Sequence, residues 1–176
     1  MSTSPVRTAT LVALPVAVLT GVTMFALRGG FSAPHTPAAS PTADPSAAVT
    51  VTPPPPAAPA ARSTCAALGT ALPATLGSRA RRPVAGAPDR VVAWGAPPVV
   101  LRCGVAPVTV PPDTNKQFEI NGVRWYAVAR GPVVVFTTTD RRVPVEVTVP
   151  AATAGNPADV VADLSVPVGT RVPASR

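Results

Sequence analysis

The sequence contains few of the residues that enzyme active sites and metal sites use most. It has one histidine, two cysteines and eight acidic residues in a chain of 176. The histidine, His35, lies in a proline-rich stretch, so the part of the chain that can fold has no imidazole to serve as a general base or a zinc ligand. Zinc usually needs three or four cysteine, histidine or carboxylate ligands. We therefore expect neither a metal nor a cofactor.

The two cysteines allow three interpretations of Cys103, as a nucleophile, a metal ligand or half of a disulfide. A nucleophilic cysteine needs a nearby base or positive charge, and only Arg102 is adjacent. Neighbouring residues on a strand point to opposite faces, so Arg102 should point away from the sulfur. A disulfide needs only an oxidising compartment and a partner cysteine. We therefore predict a disulfide between Cys65 and Cys103.

Positive charge exceeds negative charge, with 15 Lys and Arg against 8 Asp and Glu. The excess is moderate and scattered, whereas nucleic-acid-binding domains usually present a dense basic face with interleaved aromatic residues. We therefore expect no nucleic-acid partner. The arginines form instead a candidate contact surface for a partner other than nucleic acid. Its members are Arg81, Arg82, Arg102, Arg141 and Arg142.

Residues 8–27, TATLVALPVAVLTGVTMFAL, contain no charged side chain. A helix of this length spans about 30 Å, the thickness of the apolar core of a bilayer. Arg7 and the amino terminus precede the segment and Arg28 follows it, which narrowly favours a cytoplasmic N-terminus. A cleaved signal peptide is the alternative, although its cleavage site would be poor. We predict that residues 1–28 are a single-pass anchor in the plasma membrane.

Residues 29–62 are mostly Pro, Ala, Ser and Thr, with almost no large apolar side chain, so they cannot bury a core. We predict a disordered linker, which as extended polyproline II could reach on the order of 100 Å. Residues 63–176 contain both cysteines and most of the aromatic residues. We expect this segment to form one extracytoplasmic domain.

Two short helices are predicted in this domain. Ser63 or Thr64 is a suitable N-cap before CAALGTAL, and Pro73 should end that helix. Asn156 is a suitable N-cap before PADVVADLSV, in which a proline occupies the first turn.

Strands are expected at residues 91–94 and 99–103, around the turn GAPP. The best hairpin signal is Asn121-Gly122, which lies between segments of alternating apolar and polar residues. A two-residue turn predicts the pairs Ile120 with Val123, Glu119 with Arg124, and Phe118 with Trp125.

A second hairpin is predicted from residues 133–138 and 143–149, around TDRR. The expected pairs are Val134 with Val147 and Phe136 with Val145. Pro144 cannot donate a ladder hydrogen bond, which places its strand at a sheet edge or the residue at a non-bonding position. The predicted fold class is α+β, a small antiparallel sheet of hairpins with two short helices and one disulfide.

Two functions are compatible with these features. The first is a non-catalytic envelope module that binds a wall component or another envelope protein. The second is a glycan or peptide hydrolase that uses carboxylates alone, which needs two carboxyl groups about 5 to 9.5 Å apart. The carboxylates on strands or turns are Glu119, Asp140 and Glu146. Each is more simply explained as a solvated partner of Arg124, Arg141 or Arg142, so we favour the first function and name no catalytic residue.

The blocks LRCGV (101–105) and VEVTVP (145–150) are the most distinctive stretches of the domain. In these blocks, and over essentially all of residues 63–176, the chain resembles a family of actinobacterial envelope proteins, domain of unknown function 3515. The matching residues are Cys65, Arg81, Arg82, Pro83, Trp94, Gly95, Pro97, Pro98, Arg102, Cys103, Gly104, Asn121, Gly122, Trp125, Phe136, Glu146, Val147 and Pro150. Ile120 stands where valine is expected. The resemblance implies a membrane-associated or secreted protein with no established activity, and it supplies no catalytic residues.

Overall fold

The structure is a computed structural model that describes residue 44, residues 47–153 and residues 155–175. The predicted membrane span, residues 8–27, lies outside these described residues. No helix within the described ranges is long and apolar enough to cross a membrane.

The described chain is mostly sheet, with ten strands and two helices. The strands are β1 (Val49–Thr50), β2 (Thr75–Leu76), β3 (Arg79–Arg82), β4 (Val84–Ala85), β5 (Val91–Trp94), β6 (Val99–Cys103), β7 (Gln117–Ile120), β8 (Val123–Arg130), β9 (Val133–Thr138) and β10 (Val145–Pro150). The helices are α1 (Pro59–Ala71) and α2 (Pro157–Arg171). Eight strands form one antiparallel sheet in the order β2-β3-β5-β6-β10-β9-β8-β7, and β1 pairs with β4 in a separate parallel sheet of two strands.

The core lies between one face of the large sheet and the two helices. Alternation along β10 buries Val145, Val147 and Val149, and its other residues before Pro150 are half-buried on the opposite face. Helix α2 contacts β10, β8 and β7, and it also packs against α1. The buried Trp125 indole donates from Nε1 to Ser165 Oγ on α2 at 2.9 Å, so this polar atom of the core is satisfied.

The first helix begins earlier than predicted. Its N-cap is Ala58, and Pro59 occupies the first turn, where the missing N–H costs no helical hydrogen bond. The hydroxyls of Ser63 and Thr64 donate to Ala60 O inside the helix, so neither residue is the cap. The last residues of the predicted disordered linker, 59–62, therefore belong to α1. The helix begins at Pro59 and not after the predicted cap, Ser63 or Thr64.

The Asn121-Gly122 hairpin has the predicted register. The pairs Ile120 with Val123, Glu119 with Arg124 and Phe118 with Trp125 are all present. Both turn residues have positive φ, 50° at Asn121 and 73° at Gly122, as a two-residue hairpin turn requires. The predicted cap of α2 is also confirmed, since the Asn156 side chain accepts from Ala158 N at 3.0 Å.

The predicted register of the second hairpin is wrong by two residues. Phe136 pairs with Val147 and Val134 with Val149. The connection is longer than TDRR because residues 139–144 leave the sheet, and Arg142 N donates to Pro173 O at 3.0 Å. A shift of two residues keeps every side chain on its predicted face, so the apolar pattern could not detect it.

The strand after Pro144 is not an edge strand. It is β10, which lies between β6 and β9 in the interior of the sheet. Pro144 itself precedes the strand by one residue, and its carbonyl accepts from Gly104 N at 2.8 Å. Proline is tolerated at position 144 because this residue lies outside the strand, where its missing N–H removes no hydrogen bond of the sheet.

Candidate functional site

Cys65 and Cys103 form the predicted disulfide, with their Cα atoms 5.6 Å apart. Both residues are buried, and neither thiol is free. Arg102 lies on the opposite face of β6, where it contacts Glu146. Cys103 therefore serves to attach α1 to the sheet and is available neither as a nucleophile nor as a metal ligand.

The five arginines predicted as a contact surface all bond within the chain. Arg81 donates to Gly69 O, and Arg82 donates to Gly95 O and to the carbonyls of Asp44 and Ala47. Arg102 bonds Glu146 and Thr52 O. At the other end of the domain, Arg141 bonds Gly122 O and Arg142 bonds Ala174 O. Whether any of them also contacts a partner stays a prediction.

The three candidate carboxylates are each paired with a different arginine. Glu119 lies 4.0 Å from Arg124, and Asp140 lies 3.4 Å from Arg141, as predicted. Glu146 pairs with Arg102 and not with Arg142, because Glu146 and Arg102 are direct partners across β10 and β6. In the described part of the chain, no group of three or more His, Cys, Asp or Glu residues could hold a metal ion.

Glu119 and Glu146 are not arranged as a hydrolytic pair. Glu119 and Glu146 lie on the same face, but β9 and β8 separate their strands, which amounts to about 14 Å at the usual strand spacing. The two residues line different cavities. A pair that flanks one glycosidic bond needs a separation of about 5 to 9.5 Å.

An apolar cleft lies between β7 and the start of α2, on the helix-bearing face of the sheet. Its volume is about 490 Å³, and we call it the β7 cleft. The apolar lining residues are Phe118, Ile120, Ala127, Val134, Phe136, Pro157 and Ala158, and the polar ones are Glu119 and Asn156. Phe118 is 47% exposed although it lies on the core face, because β7 is the last strand of the sheet and the described helix α2, which begins at Pro157, leaves this side chain partly uncovered.

The outer edge of β7 has backbone groups that point away from β8. In a two-residue hairpin Ile120 and Val123 exchange both hydrogen bonds, and Ala127 N donates to Lys116 O at 2.9 Å. In an antiparallel pair only every second residue bonds the neighbouring strand. Gln117 and Glu119 are the residues of β7 between those that bond β8, so their N–H and C=O groups point outward. No strand of the described chain pairs with this edge.

Comparison with known proteins places the chain in a family. A family model described as "Protein of unknown function (DUF3515)" matches residues 12–176. The chain is a DUF3515 protein. Neither a curated protein nor a solved structure shows significant similarity to it.

Two structural features of this DUF3515 domain are not predicted by the sequence. Arg90 was not singled out, yet it donates to Pro54 O and Pro55 O at 3.0 and 2.6 Å. Phe118 was assigned to the core face, which is correct, but its exposure was not foreseen. The position of β7 at the end of the sheet, which follows from strand order and not from local pattern, decides that exposure.

Proposed function

We propose that this protein is a single-pass plasma-membrane protein whose extracytoplasmic domain is a non-catalytic binding module of the cell envelope. Its partner is an extended segment of another envelope protein, which adds to the sheet beside β7. The observation that carries this proposal is the edge of β7, with which no strand of the described residues pairs, next to an apolar cleft that contains the exposed Phe118.

Strand addition uses the two features together. The outward N–H and C=O groups of Gln117 and Glu119 would bond the backbone of the partner, which gives affinity with little dependence on sequence. A large apolar side chain of the partner would enter the β7 cleft beside Phe118, which gives specificity. Burial of one such side chain contributes roughly 1.5 to 3 kcal/mol.

The proposed location is supported by the sequence and by the disulfide. Residues 8–27 have the length and the lack of charge of a membrane span. The Cys65–Cys103 disulfide suits an oxidising space outside the plasma membrane. The hydrolase alternative is not favoured, since Glu119, Asp140 and Glu146 each have an arginine partner.

Photo-crosslinking in cells tests the proposed binding surface. A photo-crosslinking amino acid is placed at residue 118 in the full chain, and a matched control carries it at residue 166, an apolar position on α2 that is 56% exposed. We expect a discrete protein adduct from residue 118 and little from residue 166. Equal adducts from both positions, or none from residue 118, would contradict the proposal.

A second variant separates strand addition from simple apolar contact. Gln117→Pro removes one outward N–H and leaves the bonds to β8 intact, because the amide of Gln117 does not face that strand. We expect this substitution to reduce the adduct from residue 118 several-fold. An unchanged adduct would mean that the partner does not pair with the backbone of β7.

A further inference from the structure

Residues 47–58, which we call the strap, lie against the domain and end where α1 begins. Near one end, β1 pairs in parallel with β4, and the side chain of Val49 is buried. Near the other end, Arg90 donates to Pro54 O at 3.0 Å and to Pro55 O at 2.6 Å. The strap is therefore bound to the domain close to both of its ends.

The disulfide of Cys65 and Cys103 lies close to the second of these ends. A Cβ built on Gly104 would lie 3.7 Å from Cys65 Sγ. The same point lies 3.7 Å from Arg90 Nη1 and 3.8 Å from Ala57 Cβ. The last part of the strap and the guanidinium that binds it are thus both next to a sulfur of the disulfide.

The closed strap leaves no room for a reagent at this disulfide. Cys65 and Cys103 are 2% and 1% exposed. The cavity beside them, which Arg90 also lines, has a volume of about 10 Å³, no more than one water molecule needs. A thiolate must contact a sulfur in order to exchange with it. A covering element therefore has to move before the disulfide can react.

The strap is the covering element that opens at the lowest cost. The other elements at the sulfurs are α1 and β6, which carry the two cysteines and contribute to the core. Among the described strands, β1 of the strap pairs with β4 alone, over two residues and outside the eight-stranded sheet. Segments with few buried contacts open at a lower free-energy cost than the core does.

We propose that the strap is a gate over the Cys65–Cys103 disulfide, so that opening of the strap, and not unfolding of the domain, controls thiol–disulfide exchange at this site. The reactant is a dithiol reductant. Its thiolate attacks one sulfur, the S–S bond breaks, and the other sulfur leaves as a thiolate that takes up a proton.

The second thiol of the reductant then attacks the mixed disulfide and releases the second cysteine as a thiol. Two electrons thereby pass to the protein, and the reductant becomes a disulfide. Helix α1 then has no covalent attachment to β6. The gate does not depend on what the β7 cleft binds.

Reduction of the full chain under native conditions tests the gate. The protein is held in detergent micelles with dithiothreitol, and free thiols are titrated over time. Arg90→Ala removes two bonds to the strap, and its matched control, Arg142→Ala, removes a bond to Ala174 O in the C-terminal segment. Val49→Ala loosens the other end of the strap and leaves Arg90 beside the disulfide.

We expect Arg90→Ala and Val49→Ala to be reduced several-fold faster than the wild type, and Arg142→Ala at the wild-type rate. The wild-type rate should depend only weakly on urea below the unfolding transition, because opening of the strap exposes little surface. Acceleration by Arg90→Ala alone would show that the guanidinium, and not the strap, covers the sulfurs. Equal rates in Arg90→Ala and Arg142→Ala, or a rate that rises with urea as steeply as global unfolding does, would also overturn the proposal.

Discussion

At the scale of single residues, the turn between β7 and β8 depends on backbone conformation. Gly122 has φ of 73°, and a Cβ added there meets no atom within 4 Å, so the cost of a side chain is backbone strain alone. A β-branched residue in this conformation costs roughly 1 to 3 kcal/mol.

We therefore predict that Gly122→Val destabilises the domain more than Glu119→Ala does. Glu119 and Arg124 are 67% and 61% exposed and lie 4.0 Å apart, and such a surface pair contributes about 0 to 1 kcal/mol. Thermal melts of the two variants decide the comparison. Equal melting temperatures would be incompatible with the turn conformation described above.

A second residue-scale prediction concerns the ion pair of Arg102 and Glu146, whose side chains are 28% and 14% exposed. Removal of either partner leaves the other charge partly buried and unpaired. The losses of stability in Arg102→Ala and Glu146→Ala should therefore add up to more than the loss in the double variant. We expect a coupling free energy of about 1 to 3 kcal/mol from denaturant unfolding.

The exposed pair of Glu119 and Arg124 is the matched control for that cycle. Its coupling should stay below about 0.5 kcal/mol, because water and salt screen it. If both cycles gave the same small coupling, the Arg102–Glu146 contact would have no special role in stability.

Local pattern predicted some residue contacts and not others. The Asn-Gly turn fixed the pair of Glu119 and Arg124, because its partners are close in the chain. Arg102 lies 44 residues before Glu146 and becomes its neighbour only because β6 and β10 pair. Nothing in either local sequence indicates that pairing, so the nearer Arg142 was preferred.

At the scale of elements, the disulfide joins α1 to β6 across a sequence separation of 38 residues. A cross-link of this length restricts the unfolded chain and contributes roughly 3 to 4 kcal/mol by the chain-entropy model. We predict that the purified protein has no titratable thiol when denatured without reductant, and that reduction lowers its unfolding midpoint.

Thiol titration and denaturant unfolding of the full chain, with and without reductant, check this prediction. The matched control is the double variant Cys65→Ser and Cys103→Ser, whose midpoint should not respond to reductant. Two reactive thiols in the unreduced wild type would exclude the disulfide and return Cys103 to consideration as a reactive group.

Element boundaries and registers were predictable only where the local sequence contains a capping or turn residue. Asn156 and the Asn-Gly turn are such signals, and both were correct. The start of α1 was misplaced because Pro59 follows a run of prolines and resembled more linker. The register of β9 and β10 depends on contacts of residues 139–144 with the C-terminal segment, which no turn motif records.

At the scale of the whole molecule, part of the predicted linker is bound by two of the arginines that were predicted to contact a partner. The sequence suggested an inert linker and a set of arginines facing outward. Arg82 and Arg102, with Arg90, instead hold residues 47–58 against the domain. Residues 47–62 therefore cannot act as a free spacer, and long-range contacts of this kind are not visible in composition.

The proposed functions all require the domain to lie outside the plasma membrane, so its orientation is the most direct test. Protease is added to cells with a permeabilised wall and an intact plasma membrane, and the domain is followed with an antibody. We predict that protease removes the domain without detergent, as expected for a cytoplasmic N-terminus followed by one span. Protection of the domain until detergent dissolves the membrane would place it in the cytoplasm and contradict the envelope-binding role.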